Sequence, residues 1–178
     1  MQIDETIFRK YDIRGIVGKS LIIDNAYYIA NALANKIKKN KQITVNIGYD
    51  GRLTSIELFN KFKEGLLDGG CKVINIALCP SPMLYYSVNE LKSDYGVMIT
   101  GSHNPANYNG FKILSHNKPF FDKDIISLKE MILDNVAVRN LELFKNVLDN
   151  SSKGSLISIL DKTHTSMGAR MIRKWLAK

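Results

Sequence analysis

The feature that most constrains this chain is a regular alternation between residues 24 and 114 of helix-period and strand-type segments. Across 24–39, Ala26, Ile29, Ala30, Leu33 and Ile37 recur on one helical face, and Asp24 stands where an N-cap belongs. Residues 43–47, Ile-Thr-Val-Asn-Ile, read as a short strand. Thr54 and Glu57 then form a capping-box pattern ahead of a helix that buries Phe59, Phe62 and Leu66 and stops at Gly69-Gly70. Cys71–Ala77 reads as a buried strand, Pro80 and Pro82 bound a helix over 82–91, Tyr95–Thr100 is a further apolar strand, and 110–114 another. Strands separated by helices predict an α/β fold, a three-layer α/β/α domain around a mainly parallel sheet. In such a sheet the ligand site lies at the carboxyl ends of the strands.

Past about residue 130 the rhythm is lost. No convincing strand follows Leu133. Leu141, Phe144 and Leu148 fit one helix face, and Met167, Met171, Ile172, Trp175 and Leu176 fit another. Asn150-Ser151-Ser152-Lys153-Gly154 lies between them as a linker. The expected organisation is therefore an α/β domain over 1–130 and an all-α tail over 131–178.

The chain has 178 residues, enough for one domain and an appendage. Its apolar share of 45% and charged share of 24% exclude disorder throughout. No stretch reaches the roughly 18 apolar residues of a membrane span. The N-terminus lacks a charged-then-apolar leader, so a cytoplasmic protein without a membrane partner is expected. Cys71 and Cys79 show no metal spacing and read as small reduced core residues. The net charge of +8 suits either nucleic acid or a sugar phosphate, and decides neither. Lys36, Lys38, Lys39 and Lys41 follow the first helix and suit its negative dipole end.

Three segments carry candidate chemistry. Thr100-Gly101-Ser102-His103-Asn104-Pro105 closes an apolar strand with an approachable serine on a tight turn. Such a turn can aim backbone N–H groups at an anion, with His103 and Lys112 adding positive charge. A phosphoryl group on Ser102 fits this chemistry, which needs positioning and charge neutralisation above all. A purely structural turn is the rival reading. The Gly-x-Ser-x-Gly elbow of a serine hydrolase is absent, and His103, adjacent to Ser102, is poorly placed as its base. Phe8–Gly15, with Tyr11 and Arg14, could set a guanidinium against a phosphate or be a surface charge cluster. Gly48-Tyr49-Asp50-Gly51-Arg52 follows a strand and precedes a helix, where an α/β ligand loop belongs. It lacks a P-loop's Gly-Lys-Ser/Thr ending, which disfavours nucleoside triphosphates.

Together these segments resemble the α-D-phosphohexomutase (phosphomannomutase/phosphoglucomutase) family over about residues 3–130. Tyr11-Asp12-Ile13-Arg14-Gly15 is similar to the family's N-terminal motif, Gly48–Arg52 to its Gly-x-Asp-x-Arg loop, and Met98–Lys112 to its phosphoserine loop. The resemblance implies the family's first domain, with Ser102 as phosphoryl carrier and, through its phosphate, a Mg²⁺ ligand. His103 and Lys112 would assist the transfer. Tyr11, Arg14 and Asn104 would meet substrate or phosphate, and Asp50 and Arg52 would brace the loop. It further implies a hexose phosphate substrate and hexose 1,6-bisphosphate as activator. Gly101 stands where many relatives have alanine, and Tyr49 where many have arginine. The Asp-x-Asp-x-Asp metal loop and the sugar- and phosphate-reading motifs of the family's other three domains are not found. The expectation is a truncated fragment that turns over little by itself, unless another chain supplies the missing domains.

The segment from about 138 to 178 resembles the start of the helical core domain of MutS-type DNA mismatch-repair proteins. It carries Arg139–Leu143, Gly154-Ser155-Leu156, Leu160–Thr163, Met167–Arg170 and Trp175-Leu176 in that family's order. Neither a mismatch-reading aromatic motif nor an ATPase P-loop accompanies it. From Leu133 on there are eight Lys/Arg and four acids. The alternative function is a noncatalytic fusion whose basic tail binds nucleic acid or a protein partner, or a remnant with no selected function.

Overall fold

A computed structural model describes residues 3–38, 40–115, 118–140, 151–163 and 165–176. After a short 3-10 turn at Glu5–Ile7, the elements run β1 (Ile13–Ile16), α1 (Asn25–Ile37), β2 (Thr44–Tyr49), α2 (Ser55–Asp68) and β3 (Lys72–Leu78). They continue with α3 (Ser81–Glu90), β4 (Tyr95–Ile99), β5 (Tyr108–Ser115), β6 (Lys118–Pro119), α4 (Lys123–Asn140), α5 (Leu156–Leu160) and α6 (Ser166–Leu176). The chain divides into two compact units, Ile3–Ile132 and the part from Leu133 onward. Among the described residues the second unit is helical.

The first unit is a sheet ordered β1-β5-β4-β2-β3, with β6 paired to β5 and helices on its faces. β3, β2 and β4 are mutually parallel, while β5 runs antiparallel to both β4 and β1. The sheet is thus mixed, with the expected parallel arrangement confined to β3-β2-β4. The link from β4 to β5 is a turn too short for a helical crossover, so β5 must return antiparallel.

Apolar residues divide between two layers. On one face Leu84 of α3 packs with Cys79, Met98 and Leu114, and Asn46 of β2 donates to Ser87 at 3.0 Å. On the other face Phe62 of α2 stacks on Phe111 of β5 with centroids 4.8 Å apart. The alternation of a strand's side chains puts these sets on opposite sides. α1 lies against α2, where a Cβ at Gly65 would fall 2.3 Å from the Tyr27 carbonyl oxygen.

Several sequence expectations change in detail. Asp24 and Thr54 occupy the N-cap positions of α1 and α2, but neither side chain caps the helix. Thr54 itself has helical φ and ψ (−88° and −6°), and its Oγ1 accepts from Asn109 Nδ2 at 3.1 Å. Strand β3 is not buried; it is the open edge of the sheet and is half-exposed along its length. α2 does end at Gly69, followed by Gly70 at φ 86°. Both cysteines are free and buried, and burial raises both thiols above their ordinary value. α6 carries the expected face of Met167, Met171, Ile172, Trp175 and Leu176. The expected face of Leu141, Phe144 and Leu148 lies outside the described residues.

Candidate active site

The turn between β4 and β5 is fastened from two sides. Ile99 ends β4 beside Tyr49 of β2, and the Asp50 N–H donates to the Ile99 carbonyl at 2.9 Å. The Gly48–Arg52 segment and the Thr100–Pro105 segment therefore leave adjacent strands at the same end of the sheet. That is where a doubly wound sheet opens a ligand crevice.

Arg52 is the centre of the fastening. Its Nη1 donates to the carbonyls of Pro105 at 2.5 Å and Tyr108 at 3.0 Å. Its Nη2 donates to those of Ser102 at 2.9 Å and Asn104 at 2.7 Å. Nε donates to Asp50 Oδ2 at 3.2 Å. One planar fork thus bonds four carbonyls between Ser102 and Tyr108, of which only that of Pro105 is also given a backbone donor, the Tyr108 N–H at 3.0 Å, a task suited to guanidinium geometry. A Cβ at position 101 would lie 2.2 Å from Arg52 Cζ, so glycine there admits the guanidinium against the backbone.

Asp50 binds the turn from below. Its carboxylate accepts from the Arg52 N–H at 3.1 Å, Ser55 Oγ at 2.7 Å and the Gly101 N–H at 3.2 Å. Burial pushes the Asp50 carboxyl up, but bonds from Ser55, Thr100 and the backbone N–H groups of Arg52 and Gly101 outweigh it and hold it below its ordinary value. Asn109 Nδ2 donates to Ser55 Oγ at 3.0 Å, tying β5 to the start of α2.

Arg14 reaches the turn from β1. It is 4% exposed, pairs with Asp12, and donates from Nη1 to the Gly101 carbonyl at 2.8 Å. Burial pulls its guanidinium below the ordinary value, with Asp12 opposing. Its Nε is buried and has no hydrogen-bond partner among the described residues. Asn104 Nδ2 donates to the same Gly101 carbonyl at 3.1 Å. Ser102, held between these contacts, has φ 52°, uncommon for a residue with a Cβ. Its N–H donates to Thr100 Oγ1 at 2.8 Å and its side chain is partly open. An open cleft of about 560 Å³ lined by Asp50, Gly51, Arg52, Leu53, Thr54 and Ala106 adjoins the turn.

Of the residues singled out in the sequence, Arg14, Asp50, Arg52, Ser102 and Asn104 form one hydrogen-bonded network. His103 is exposed on the same turn, and Lys112 is half-buried on β5 opposite Met98. Tyr11 stands apart from the network: it is exposed, beneath the Lys10 ammonium and 6.2 Å from the Phe121 ring. Sequence reasoning passed over Asp12, Ser55, Thr100 and Asn109. Asp12, Thr100 and Asn109 sit inside the motifs already quoted, so each polar residue there was a signal. Ser55 was hidden by the capping-box reading of its neighbour.

Residues 5–137 match the family described as phosphoglucomutase/phosphomannomutase, alpha/beta/alpha domain I, and residues 136–178 match MutS domain III. The first match spans most of the chain, which belongs to the phosphoglucomutase/phosphomannomutase family. A phosphomannomutase/phosphoglucomutase of Pseudomonas aeruginosa is 43% identical over 130 residues, which is 73% of this chain and 28% of that protein. One from Pseudomonas syringae is 41% identical over 160 residues, 89% of this chain and 32% of that protein. That alignment necessarily runs into the segment matched by MutS domain III. The crystal structure of a phosphoglucomutase/phosphomannomutase family protein from Burkholderia thailandensis superimposes with a TM-score of 0.70 at 31% identity, covering 76% of this chain and 31% of that one. The chain thus spans about a third of the length of these relatives.

Proposed function

We propose that the Ile3–Ile132 unit is the phosphoryl-carrying domain of a phosphohexomutase, with Ser102 as the carrier. The observation that carries this reading is the locked turn. Arg14, Asp50 and Arg52 hold Ser102 in a left-handed conformation at the carboxyl end of β4. A backbone conformation of that kind costs of order 1–3 kcal/mol and persists where its surroundings enforce it.

In this reading the phosphoryl group passes from phospho-Ser102 to the free hydroxyl of a hexose phosphate. The P–O bond to Ser102 breaks as a P–O bond to the sugar forms, and the proton that the sugar hydroxyl gives up is balanced by the one taken up by the released Ser102 Oγ. The resulting bisphosphate then returns its other phosphoryl group to Ser102. His103 and Lys112 supply charge beside the transferring group, and Arg14, Asn104 and Tyr11 serve the substrate side. Asp50 and Arg52 act on the turn alone.

Mg²⁺, which the family resemblance implies, takes oxygen ligands. Among the described residues no group of three or more Asp, Glu, His or Cys side chains could hold an ion. The described residues therefore do not make up a complete metal site, and stand-alone turnover is expected to be very low. Removing a single preorganised electrostatic element commonly costs about 3–4 kcal/mol of barrier.

The test is to incubate the purified chain with hexose 1,6-bisphosphate and read phosphoryl uptake by intact mass, with a coupled mutase assay alongside. Uptake of one phosphoryl group that vanishes in Ser102→Ala is expected, with turnover near background. Uptake that survives Ser102→Ala would place the carrier elsewhere. Robust turnover by the chain alone would refute its incompleteness.

A further inference from the structure

The helix α6 presents a face that the Ser102 chemistry does not use. Met167, Met171 and Trp175 recur every four residues along it and are all exposed, Trp175 at 66%. Ile172 and Leu176, on the neighbouring side, are half-buried. Arg170 and Arg173 are exposed on the opposite arc. From Lys162 to Lys178 the sequence has five Lys/Arg (162, 170, 173, 174 and 178) and no Asp or Glu. The carboxyl of Asp161, immediately before this run, is held below its ordinary value by the bonds from Thr163 and, after them, by Arg173.

From this geometry we propose that α6 is an interfacial helix that docks on the surface of an anionic lipid bilayer. An apolar stripe containing Trp beside an arc whose charges are all cationic is the pattern of a helix lying in the plane of the headgroups. The charge selects the occupant: the cations meet anionic headgroups while Met167, Met171 and Trp175 enter the acyl boundary. Nucleic acid would neutralise the cations but offers no apolar layer for three exposed large side chains. No helix among the described residues is long and apolar enough to cross a membrane, so α6 lies on the surface.

Trp175 is the chain's single tryptophan and reports the event directly. The full chain is titrated with phosphatidylcholine vesicles with and without phosphatidylserine, following Trp175 emission and co-sedimentation. The expected result is a blue shift and co-sedimentation with the anionic vesicles only, lost at high salt. Arg170→Gln with Arg173→Gln is expected to lower partitioning about 25-fold, since each cation at an anionic surface contributes about fivefold. Met171→Glu is expected to lower it more than tenfold with the far-ultraviolet circular dichroism unchanged. The proposal is overturned if emission and sedimentation do not respond to anionic vesicles, or respond equally to neutral ones. It is overturned also if Met171→Glu binds like the parent chain, or if duplex DNA shifts Trp175 and vesicles do not. A shift that depends on protein concentration without lipid would mean self-association and would overturn it as well.

Discussion

Arg52 and Asp50 do different work on the same turn, and each has a separable signature. Removing the Arg52 fork in Arg52→Ala leaves the carbonyls of Ser102, Asn104 and Tyr108 to find new partners, while that of Pro105 keeps the Tyr108 N–H. Leaving buried acceptors unsatisfied costs about 1–3 kcal/mol per group, and water entering this partly open turn will recover some of it. A loss of about 2–3 kcal/mol in urea unfolding is expected. Arg52→Lys keeps the charge but not the fork, so it should regain less than half of that loss. Asp50 acts through pH. Its folded value lies below its unfolded one, so its contribution is fully present above about pH 4 and is lost as pH falls through the lowered folded value. Asp50→Asn should therefore flatten the acid limb of the stability profile and leave its neutral limb parallel to the parent's; an unchanged acid limb would count against the assignment. The sequence made these residues visible as types and positions, because Asp50 and Arg52 stand in one motif and Ser102 in another. It did not show that one guanidinium spans four carbonyls. That depends on β2 and β4 being neighbours with their ends aligned, which is a property of the sheet and of no local segment.

At the scale of elements, the packing of α1 on α2 turns on Gly65. Gly65→Ala would gain about 1 kcal/mol of helix propensity in isolation. Here the added Cβ meets the Tyr27 carbonyl oxygen at 2.3 Å and Ala30 Cβ at 2.9 Å. Backbone cannot yield as a flexible side-chain tip can, so overpacking should win by about 1–3 kcal/mol net. A lowered denaturant midpoint with an unchanged slope is the expected reading; a gain in stability would show that the two helices separate freely. Most helices and strands were legible in the sequence because periodicity is local, as in the α1 face of Ala26, Ile29, Ala30, Leu33 and Ile37. The exposure of β3 was not legible. Val73, Ile74 and Ile76 look the same at an edge as in a sheet centre, and strand order depends on long-range pairing. The antiparallel return of β5 was hidden likewise, although the short turn before it carried the hint.

For the whole molecule, the two compact units carry different chromophores. All eight tyrosines fall in the Ile3–Ile132 unit, and the single tryptophan falls in the other. The second unit is short and leaves large apolar side chains exposed, so it has little core to stabilise it. Urea unfolding followed by Trp175 emission is therefore expected to have a lower midpoint than unfolding followed by tyrosine. Coincident curves would mean that the chain melts as one cooperative body. The open edge at β3 has a consequence for the behaviour of many copies together. Lys72 is its only charged residue, and an unpaired edge is a template on which another strand can add. The register shift beside Ile47/Gly48 and the left-handed Ala77 disrupt only its far end. Over the rest, mutual repulsion at net charge +8 opposes such addition. Dilute salt and a pH well below 9.4 preserve that repulsion, whereas concentrated salt screens it. Solution conditions are thus expected to bear on the colloidal lifetime of the chain through its edge strand.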